Sequence, residues 1–281
     1  MEIKPFNYLM YIGLALCFVQ FSLGLDGAKY TRLRKEVGKR LKSYYPKKSL
    51  GYPQEYGFGY YYQGDILLSP SQKGRFAITT DSEDDLWPNA TVPYEINANF
   101  TAEQMQTLEA AFAQFENNTC VRFVPRTNET RFVNITNVNA GCAAHVGRLA
   151  VPYVNNLNLQ TPGCMWQVGT PVHEMMHTLG FLHEHSRPDR DEYIIILYQN
   201  LAPFYQNPGF ISGNLDKDDI DDGTDYGVPY NYGSVMHYSR YAAAISRQRP
   251  VLVNKQPYIG DFGNTEGLSA GDVAQLMARY C

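Results

Sequence analysis

Short segments in which apolar residues occupy every second position predict β-strands between residues 92 and 135. Val92, Tyr94 and Ile96 have this spacing, which is typical of a strand with one buried face. The same period recurs in two further pairs, Val121 with Phe123 and Val133 with Ile135. Three strands are therefore predicted in this part of the chain.

Two segments carry the start signal and the spacing of amphipathic helices. Thr101 is followed three residues later by Gln104, and Ser269 by Asp272, which is the spacing of a capping box. Apolar residues then recur at helical intervals: Met105, Leu108, Phe112 and Phe115 in the first segment, and Val273, Leu276, Met277 and Tyr280 in the second. Residues 205–232 are rich in Gly, Asn, Pro and Asp and are predicted to be mostly loop. This mixture of helices and short strands favours an α+β fold.

An eleven-residue apolar run, Leu9–Val19, follows the cationic Lys4. Such a run is too short to span a bilayer as a helix. With the small residues Ser22 and Gly24 behind it, the run has the pattern of a secretory signal peptide, which we place at residues 1–24. The alternative is a buried core helix. The signal-peptide interpretation predicts a secreted, extracellular protein with no membrane segment after processing.

Residues 25–75 differ in composition from the rest of the chain. Eight tyrosines lie between Tyr30 and Tyr62, and we find few aliphatic residues at a helical or strand period. Such a segment is a poor independent domain. We interpret it as an extended propeptide that needs the surface of a partner.

A basic cleavage point at Arg75 would separate this segment from a globular part, residues 76–281, with the mature N-terminus at Phe76 or Ala77. The two parts differ in charge. Residues 25–75 carry 11 Lys and Arg against 4 Asp and Glu, whereas residues 76–281 carry 12 against 23. The acidic globular part argues against nucleic-acid or anionic-membrane binding. Opposite charge would instead draw residues 25–75 to the globular part.

The cysteines and the asparagine sequons also fit secretion. Cys17 lies in the predicted signal peptide, which leaves four cysteines, enough for two disulfides in an oxidising compartment. The count alone allows three pairings. Five N-x-Ser/Thr sequons are candidate glycosylation sites: Asn89, Asn99, Asn117, Asn128 and Asn134.

The strongest chemical signal is the pair His173 and His177. Residues four apart lie on the same face of a helix, so both imidazoles can bind one metal ion. Thr170 is a suitable N-cap and Pro171 a suitable first helical residue. We therefore predict a metal-binding helix that begins after Thr170.

Gly180 predicts the end of this helix, because glycine readily adopts the left-handed conformation found there. The turn would bring His183 to the same ion. Three neutral histidines are a typical ligand set for catalytic Zn²⁺ and leave a position for water. Glu174, beside the first ligand, can take the proton of that water. A purely structural zinc site is disfavoured, since such sites close with four Cys or His ligands.

The acidic run Asp216–Asp225 invites comparison with a calcium-binding loop. Ile220 stands where an EF-hand loop would need an oxygen ligand. We therefore favour a solvated acidic loop.

The histidine segment, HEMMHTLGFLHEHSRPDRD at residues 173–191, is followed by SVMHY at residues 234–238. Together they resemble the astacin family of metzincin zinc metalloendopeptidases. The resemblance spans about residues 77–281 and includes GCAAHVGR at residues 141–148. It implies a two-lobed, metzincin-like catalytic domain with a twisted sheet, an active-site helix and a C-terminal helix.

The resemblance also implies roles at matching positions. Met236 matches the methionine of the Met-turn, and Tyr238 matches a weaker fifth zinc ligand that stabilises the oxyanion. Glu184 matches the residue that contacts the mature N-terminus. Tyr62-Gln63-Gly64-Asp65 resembles the family's latency motif, with Tyr in place of Phe, and implies that Asp65 binds zinc in the zymogen. The implied disulfides are Cys120–Cys281 and Cys142–Cys164.

The combined interpretation is a secreted, monomeric zinc endopeptidase that is made as a zymogen. Its substrates would be proteins or peptides, and its own propeptide would be its inhibitor. Two alternatives remain open: a secreted glycoprotein that keeps the fold for binding, and a zinc hydrolase that acts on a non-peptide substrate. His185 and His237 are expected to pack or to form hydrogen bonds rather than to bind metal.

Overall fold

A computed structural model describes residues 32–69, 85–218 and 226–281. The predicted signal peptide, the two candidate mature N-termini and residues 219–225 of the acidic run lie outside the described residues. Within the described ranges, no helix combines the length and the apolar character that crossing a membrane requires.

Six strands form the main sheet: β1 (Ile66–Leu67), β2 (Thr91–Asn97), β3 (Arg122–Pro125), β4 (Val133–Thr136), β5 (Cys142–His145) and β6 (Asn155–Leu159). Their order in the sheet is β1-β5-β6-β4-β2-β3. Neighbouring strands run parallel except for the antiparallel pair β5 and β6. The three predicted strands are confirmed as β2, β3 and β4. Val92, Val133 and Ile135 are fully buried on the inner face.

The α-helices of the described residues are α1 (32–41), α2 (Ala102–Asn118), α3 (Gly169–Thr178), α4 (Pro208–Asn214) and α5 (Ala270–Tyr280). Both predicted capping boxes form at the starts of α2 and α5. Leu108, Phe115 and Leu276 are buried as the helical spacing predicts. The prediction is wrong for Met277, which is 45% exposed. The buried face of α5 instead includes Asp272, which reaches a polar turn described below.

A second, two-stranded sheet pairs β7 (Ile194–Ile196) with β8 (Leu252–Asn254) in antiparallel register. Within the described ranges, the apolar side chains form two main clusters. The larger one joins the six-stranded sheet to α2 and α3, and the other packs around β7 and β8. Met236 belongs to the first cluster and Tyr238 to the second. The turn that contains these two residues therefore lies where the two lobes meet, and the two-lobed α+β fold is confirmed.

The prediction of an extended propeptide is wrong for residues 32–41, which form α1. Leu33, Val37 and Leu41 are four residues apart and form one stripe of this helix, a pattern that was present in the sequence. Val37 and Leu41 are buried, and Leu41 joins the larger cluster. A Cβ atom on Gly163 would come within 2.8 Å of the Leu41 side chain, so the helix packs directly on the backbone there.

The segment predicted to be loop also contains a helix. Asn207 caps α4, since its side-chain oxygen accepts a hydrogen bond from Phe210 N at 2.9 Å. Pro208 occupies the first position of the helix. Both signals are local and were available in the sequence.

The leader, by which we mean residues 32–69, is built into the main sheet and packs on the rest of the described chain. Its strand β1 pairs with β5, with Ile66 opposite Ala144.

The structure contains both disulfides that the family resemblance implied. Cys142–Cys164 links β5 to the turn before α3, and Cys120–Cys281 links the end of α2 to the end of α5.

The sequon asparagines are not equivalent. Asn134 lies in β4, where its side chain accepts a hydrogen bond from Asn97 and donates one to Asn156. A glycan on the Asn134 side chain would break these two hydrogen bonds. The other four asparagines are exposed: Asn89, Asn99, Asn117 and Asn128.

Replacing Leu41 tests whether α1 belongs to the folded core. The substitution Leu41→Ala should lower the free energy of unfolding of the full chain by about 2–5 kcal/mol, because it leaves a cavity in a packed cluster. Urea denaturation followed by circular dichroism measures this change. Lys35→Ala, at an exposed position of the same helix, should change it by less than about 0.5 kcal/mol. An unchanged unfolding curve for Leu41→Ala would contradict the packing of α1.

Candidate metal centre

Helix α3 presents the first two histidines of the motif on one buried face. The helix begins at Gly169 with Val168 as N-cap, so the prediction of Thr170 as the N-cap is wrong. A tertiary contact replaces the missing side-chain cap, since Gly169 N donates to Thr265 O at 2.9 Å. Thr170 instead donates its hydroxyl to Gln54 of the leader.

Gly180 ends the helical segment as predicted. Its φ angle of +94° lies in the left-handed region, and its N–H donates to His177 O at 2.8 Å. The chain turns here and stays bonded to the end of α3, since Phe181 N donates to Met176 O at 3.1 Å. His183 therefore reaches the same point as His173 and His177.

The three imidazole Nε2 atoms converge on the carboxylate of Asp65. Nε2 of His173 lies 3.0 Å from Asp65 Oδ2, and Nε2 of His177 and of His183 lie 3.4 and 3.3 Å from Asp65 Oδ1. The Nε2 atoms of His173 and His183 are 3.3 Å apart. Four tetrahedral ligands at the usual 2.0–2.1 Å from zinc lie about 3.3–3.4 Å from one another. The measured separations are close to this value, and all four residues are buried, so the cluster is suited to one zinc ion.

Hydrogen bonds on the far side of each ring fix its orientation. His173 Nδ1 donates to Val235 O at 2.7 Å and His177 Nδ1 to Phe181 O at 2.8 Å. His183 Nδ1 donates to the side-chain Oε1 of Gln63 at 2.8 Å. Because each Nδ1 faces an oxygen acceptor, we assign the ring proton to Nδ1. Each Nε2 lone pair then points at the centre of the cluster.

The electrostatics of the cluster favour a cation. Burial lowers the pKa of His177 and lowers that of His183 to about 4, so both rings are neutral, the form that binds metal. His177 Nε2 and Asp65 Oδ1 have no hydrogen-bond partner among the described residues. Acceptor atoms this close, without protons between them, repel one another unless a positive ion lies among them.

Glu174 lies on α3 beside the first ligand and is fully buried. Neither of its carboxyl oxygens has a hydrogen-bond partner within the described part of the chain. Burial, and then the nearby Asp65 carboxylate, raise the pKa of Glu174 well above its usual value. A buried, unpartnered carboxyl group beside a metal site can exchange a proton with a reacting group.

Tyr238 contacts the leader. Its hydroxyl donates to the carbonyl oxygen of Gln63 at 2.6 Å, and its ring stacks on His185 with the centroids 3.5 Å apart. Two other histidines form hydrogen bonds outside the cluster, as expected. His185 Nε2 donates to Asn214 O, and His237 pairs through Nε2 with the hydroxyl of Tyr230.

Two further residues of the predicted site lie around the third ligand. Glu184 Oε1 accepts from Asn231 N at 2.8 Å and from Arg187 Nη1 at 3.2 Å, and burial raises the pKa of Glu184 to about 7. Its predicted partner, the mature N-terminus, lies outside the described residues. Met236 is buried, and its carbonyl accepts from Glu184 N at 3.0 Å.

Gln63 and Asp218 are site residues that the sequence analysis missed. The side-chain amide of Gln63 connects His183 to Asp218: Oε1 accepts from His183 Nδ1, and Nε2 donates to Asp218 Oδ1 at 2.8 Å. Asp218 also accepts from Tyr62 and from Ser186, at 3.1 and 2.5 Å. The expected solvated loop is therefore wrong at Asp218, which these donors hold against the leader. No local pattern predicts contacts between residues more than 100 positions apart.

Glu55 is a third missed residue. It is buried, and its carboxylate accepts from Ser239 N at 2.6 Å and from Ser239 Oγ at 3.0 Å. Burial raises the pKa of Glu55 to about 8. The leader thus holds the neighbouring residues Tyr238 and Ser239 from two positions, through the Gln63 carbonyl and the Glu55 carboxylate.

The sequence and the fold of this chain are similar to those of known proteins. Residues 79–281 match the family model for astacin, which is described as a peptidase family. Embryonic protein UVS.2 of Xenopus laevis is 35% identical over 225 residues, which cover 78% of this chain and 40% of that protein. Low choriolytic enzyme of Oryzias latipes is 30% identical over 223 residues, which cover 78% of this chain and 77% of the relative.

The chain spans only part of some relatives, 40% of UVS.2 and 53% of the zinc metalloproteinase nas-5 of Caenorhabditis elegans. Among solved structures, High choriolytic enzyme 1, described as a hatching enzyme zinc-protease from Oryzias latipes, matches with a TM-score of 0.63 at 31% identity. The match covers 73% of this chain and 98% of that structure.

Removing one imidazole tests the ligand set. The substitution His177→Ala should abolish tight binding of one zinc ion per chain, because the cluster then lacks one of its three nitrogen donors. Elemental analysis after dialysis against a weak chelator measures the zinc content. His145→Ala, which removes a histidine outside the cluster, should keep one zinc. Retention of a full equivalent of zinc by His177→Ala would contradict the assignment.

Proposed function

The chain belongs to the astacin family of peptidases, and we propose that it is a secreted zinc endopeptidase made as a zymogen. The observation that carries this proposal is the convergence of three oriented imidazoles on one point beside the buried Glu174. Zinc held by His173, His177 and His183 would polarise a scissile carbonyl and make a water molecule a better nucleophile at neutral pH.

Glu174 is the proposed general base. It would take a proton from the attacking water and pass it to the leaving amine. Two features support this role: its position next to His173 on α3, and two carboxyl oxygens that have no hydrogen-bond partner among the described residues. A carboxylate engaged in fixed hydrogen bonds would be a weaker base.

Tyr238 is the proposed stabiliser of the negative charge that develops on the carbonyl oxygen. Its phenol O–H can donate a hydrogen bond to that oxygen. In the structure this donor is occupied, because the Gln63 carbonyl accepts it. Removal of the leader would release the hydroxyl to turn toward the substrate.

The leader is the proposed inhibitor of the catalytic part, residues 76–281. Asp65 would take the ligand position that a water molecule needs, as its distances of 3.0–3.4 Å to the three Nε2 atoms support. Glu55 and Gln63 would hold Tyr238 and Ser239 at the same time. These contacts are made by two carboxylates and a backbone carbonyl rather than by cations of the leader.

Secretion and a monomeric state complete the proposal. Two disulfides and four exposed sequon asparagines are typical of an extracellular protein. Its substrates would be proteins or peptides.

Removing the proposed base tests the mechanism. In leader-free enzyme, Glu174→Gln should lower kcat for a fluorogenic peptide by about 10²–10⁴-fold, because a neutral amide cannot take the proton of water. Its zinc content should stay at one per chain. Glu192→Gln, at an exposed position, is the matched control and should keep full activity. Full activity of contaminant-free Glu174→Gln would refute the role of Glu174. A zinc-loaded wild type that cleaves no peptide would favour the alternatives without peptidase activity.

Removing the proposed latency ligand tests the zymogen. Processing is first blocked with Arg75→Gln, so that the leader stays attached. In this background Asp65→Asn should raise peptidase activity by about tenfold or more, since a neutral amide is a weaker zinc ligand and an advantage of ~1.4 kcal/mol is a factor of ten. Glu36→Gln, which changes a leader carboxylate paired with Lys39 on the surface of α1, should change nothing. If Asp65→Asn stays as inactive as its parent while leader-free enzyme is active, Asp65 is not the inhibitory group.

A further inference from the structure

The carboxylate of Asp272 connects the C-terminal helix α5 to the turn that precedes Tyr238. Asp272 is completely buried. Its Oδ1 accepts a hydrogen bond from Ser234 Oγ at 2.5 Å, and its Oδ2 accepts from Val235 N at 3.0 Å. Ser234 Oγ in turn accepts from Met236 N at 3.0 Å. One carboxylate therefore fixes three consecutive residues of this turn.

The same turn orients the first histidine of the cluster. The carbonyl oxygen of Val235 accepts the proton of His173 Nδ1 at 2.7 Å. Because Asp272 and Ser234 hold the backbone on both sides of Val235, the direction of this carbonyl is fixed. A continuous series of short hydrogen bonds therefore runs from Asp272 to the ring whose Nε2 faces the metal position.

Helix capping alone does not explain this arrangement. Asp272 is the capping-box residue of α5, and its Oδ2 also accepts from Ser269 N at 2.8 Å. The equivalent residue of α2, Gln104, serves as a cap through a hydrogen bond from Thr101 N at 3.0 Å, at an exposed position. The capping carboxylate of α5 is instead buried and shared with the turn. Two of its partners are backbone N–H groups, which can only donate, at Val235 and Ser269.

We propose that Asp272 is a positioning residue for the zinc ligand His173 and acts through Ser234 and Val235. This inference rests on the proposed zinc endopeptidase function. Residues that orient metal-bound histidines from outside the ligand shell commonly change metal affinity or activity by about 10–100-fold.

Two serine substitutions separate the positioning role from the capping role. Ser234→Ala removes a contact between Asp272 and the turn and leaves the helix cap in place. Ser269→Ala removes the hydroxyl that caps α5, together with its hydrogen bond to Asp272 Oδ2 at 2.7 Å. It leaves the contacts of Asp272 with Ser234 and Val235, which are the ones that lead to His173. Both variants lose one buried or half-buried hydroxyl, so they are matched in chemistry.

The measurement is zinc release from the full chain to an excess of a colorimetric chelator. Ser234→Ala should release zinc about tenfold faster than wild type. This is the lower end of the effect that loss of a residue hydrogen-bonded to a metal ligand usually has on metal affinity. Ser269→Ala should release it within about twofold of wild type, even where its melting temperature falls. The visible spectrum of the cobalt-substituted chain should shift in Ser234→Ala and not in Ser269→Ala.

Two substitutions of Asp272 itself give a second pair of variants to compare. Asp272→Ala should release zinc at least as fast as Ser234→Ala. Asp272→Asn should restore slow release, because the amide oxygen can accept from Val235 N and Ser269 N while the amide N–H donates to Ser234 Oγ. If Asp272→Ala does not fold, the serine pair still decides the question.

Equal release rates for Ser234→Ala and Ser269→Ala, or wild-type behaviour of Ser234→Ala, would overturn the proposal. Zinc release is measured without peptide, so this outcome is distinct from a failure of the proposed function. A wild-type enzyme that holds zinc and cleaves no peptide would refute the peptidase and leave the positioning test intact. A wild-type chain that binds no zinc would overturn both.

Discussion

Three imidazole lone pairs must point at one buried position, and they repel one another unless a cation lies between them and each ring is fixed from behind. In this chain the fixing groups are three oxygen atoms, the carbonyls of Val235 and Phe181 and the side-chain amide of Gln63. Each oxygen is presented by a different segment. The lobes, the turn at Gly180 and the docking of the leader therefore all serve to place these three acceptors.

The third acceptor, Gln63 Oε1, differs from the other two because it belongs to the leader. The partners of His173 and His177 belong to the catalytic part, whereas the partner of His183 is a leader side chain. In the proposed zymogen, the leader would thus complete the arrangement that it blocks. Because the backbone carbonyl of Gln63 also accepts from Tyr238, loss of the leader would change the surroundings of one zinc ligand and of the proposed oxyanion donor together. The partners of the first two ligands, Val235 and Phe181, would remain in the chain.

Sequence patterns predicted the elements whose geometry is set by residues close to one another in the chain. Alternation located β2, and the spacing of His173, His177 and Gly180 located the ligands, because a helix and one turn fix their relative positions. The pairing of the cysteines and the place of Asp65 were available only through family resemblance. Glu55 and Asp218 were missed, because their roles arise from contacts between segments more than 150 residues apart.

X-ray absorption at the zinc edge of the full chain tests the central claim most directly, since it reports the atoms that surround the metal. The account predicts three imidazole nitrogens and carboxylate oxygen at about 2.0–2.1 Å, with the three imidazoles retained and the carboxylate lost when the leader is removed. Fewer than three imidazoles, or a sulfur neighbour at about 2.3 Å, would contradict it.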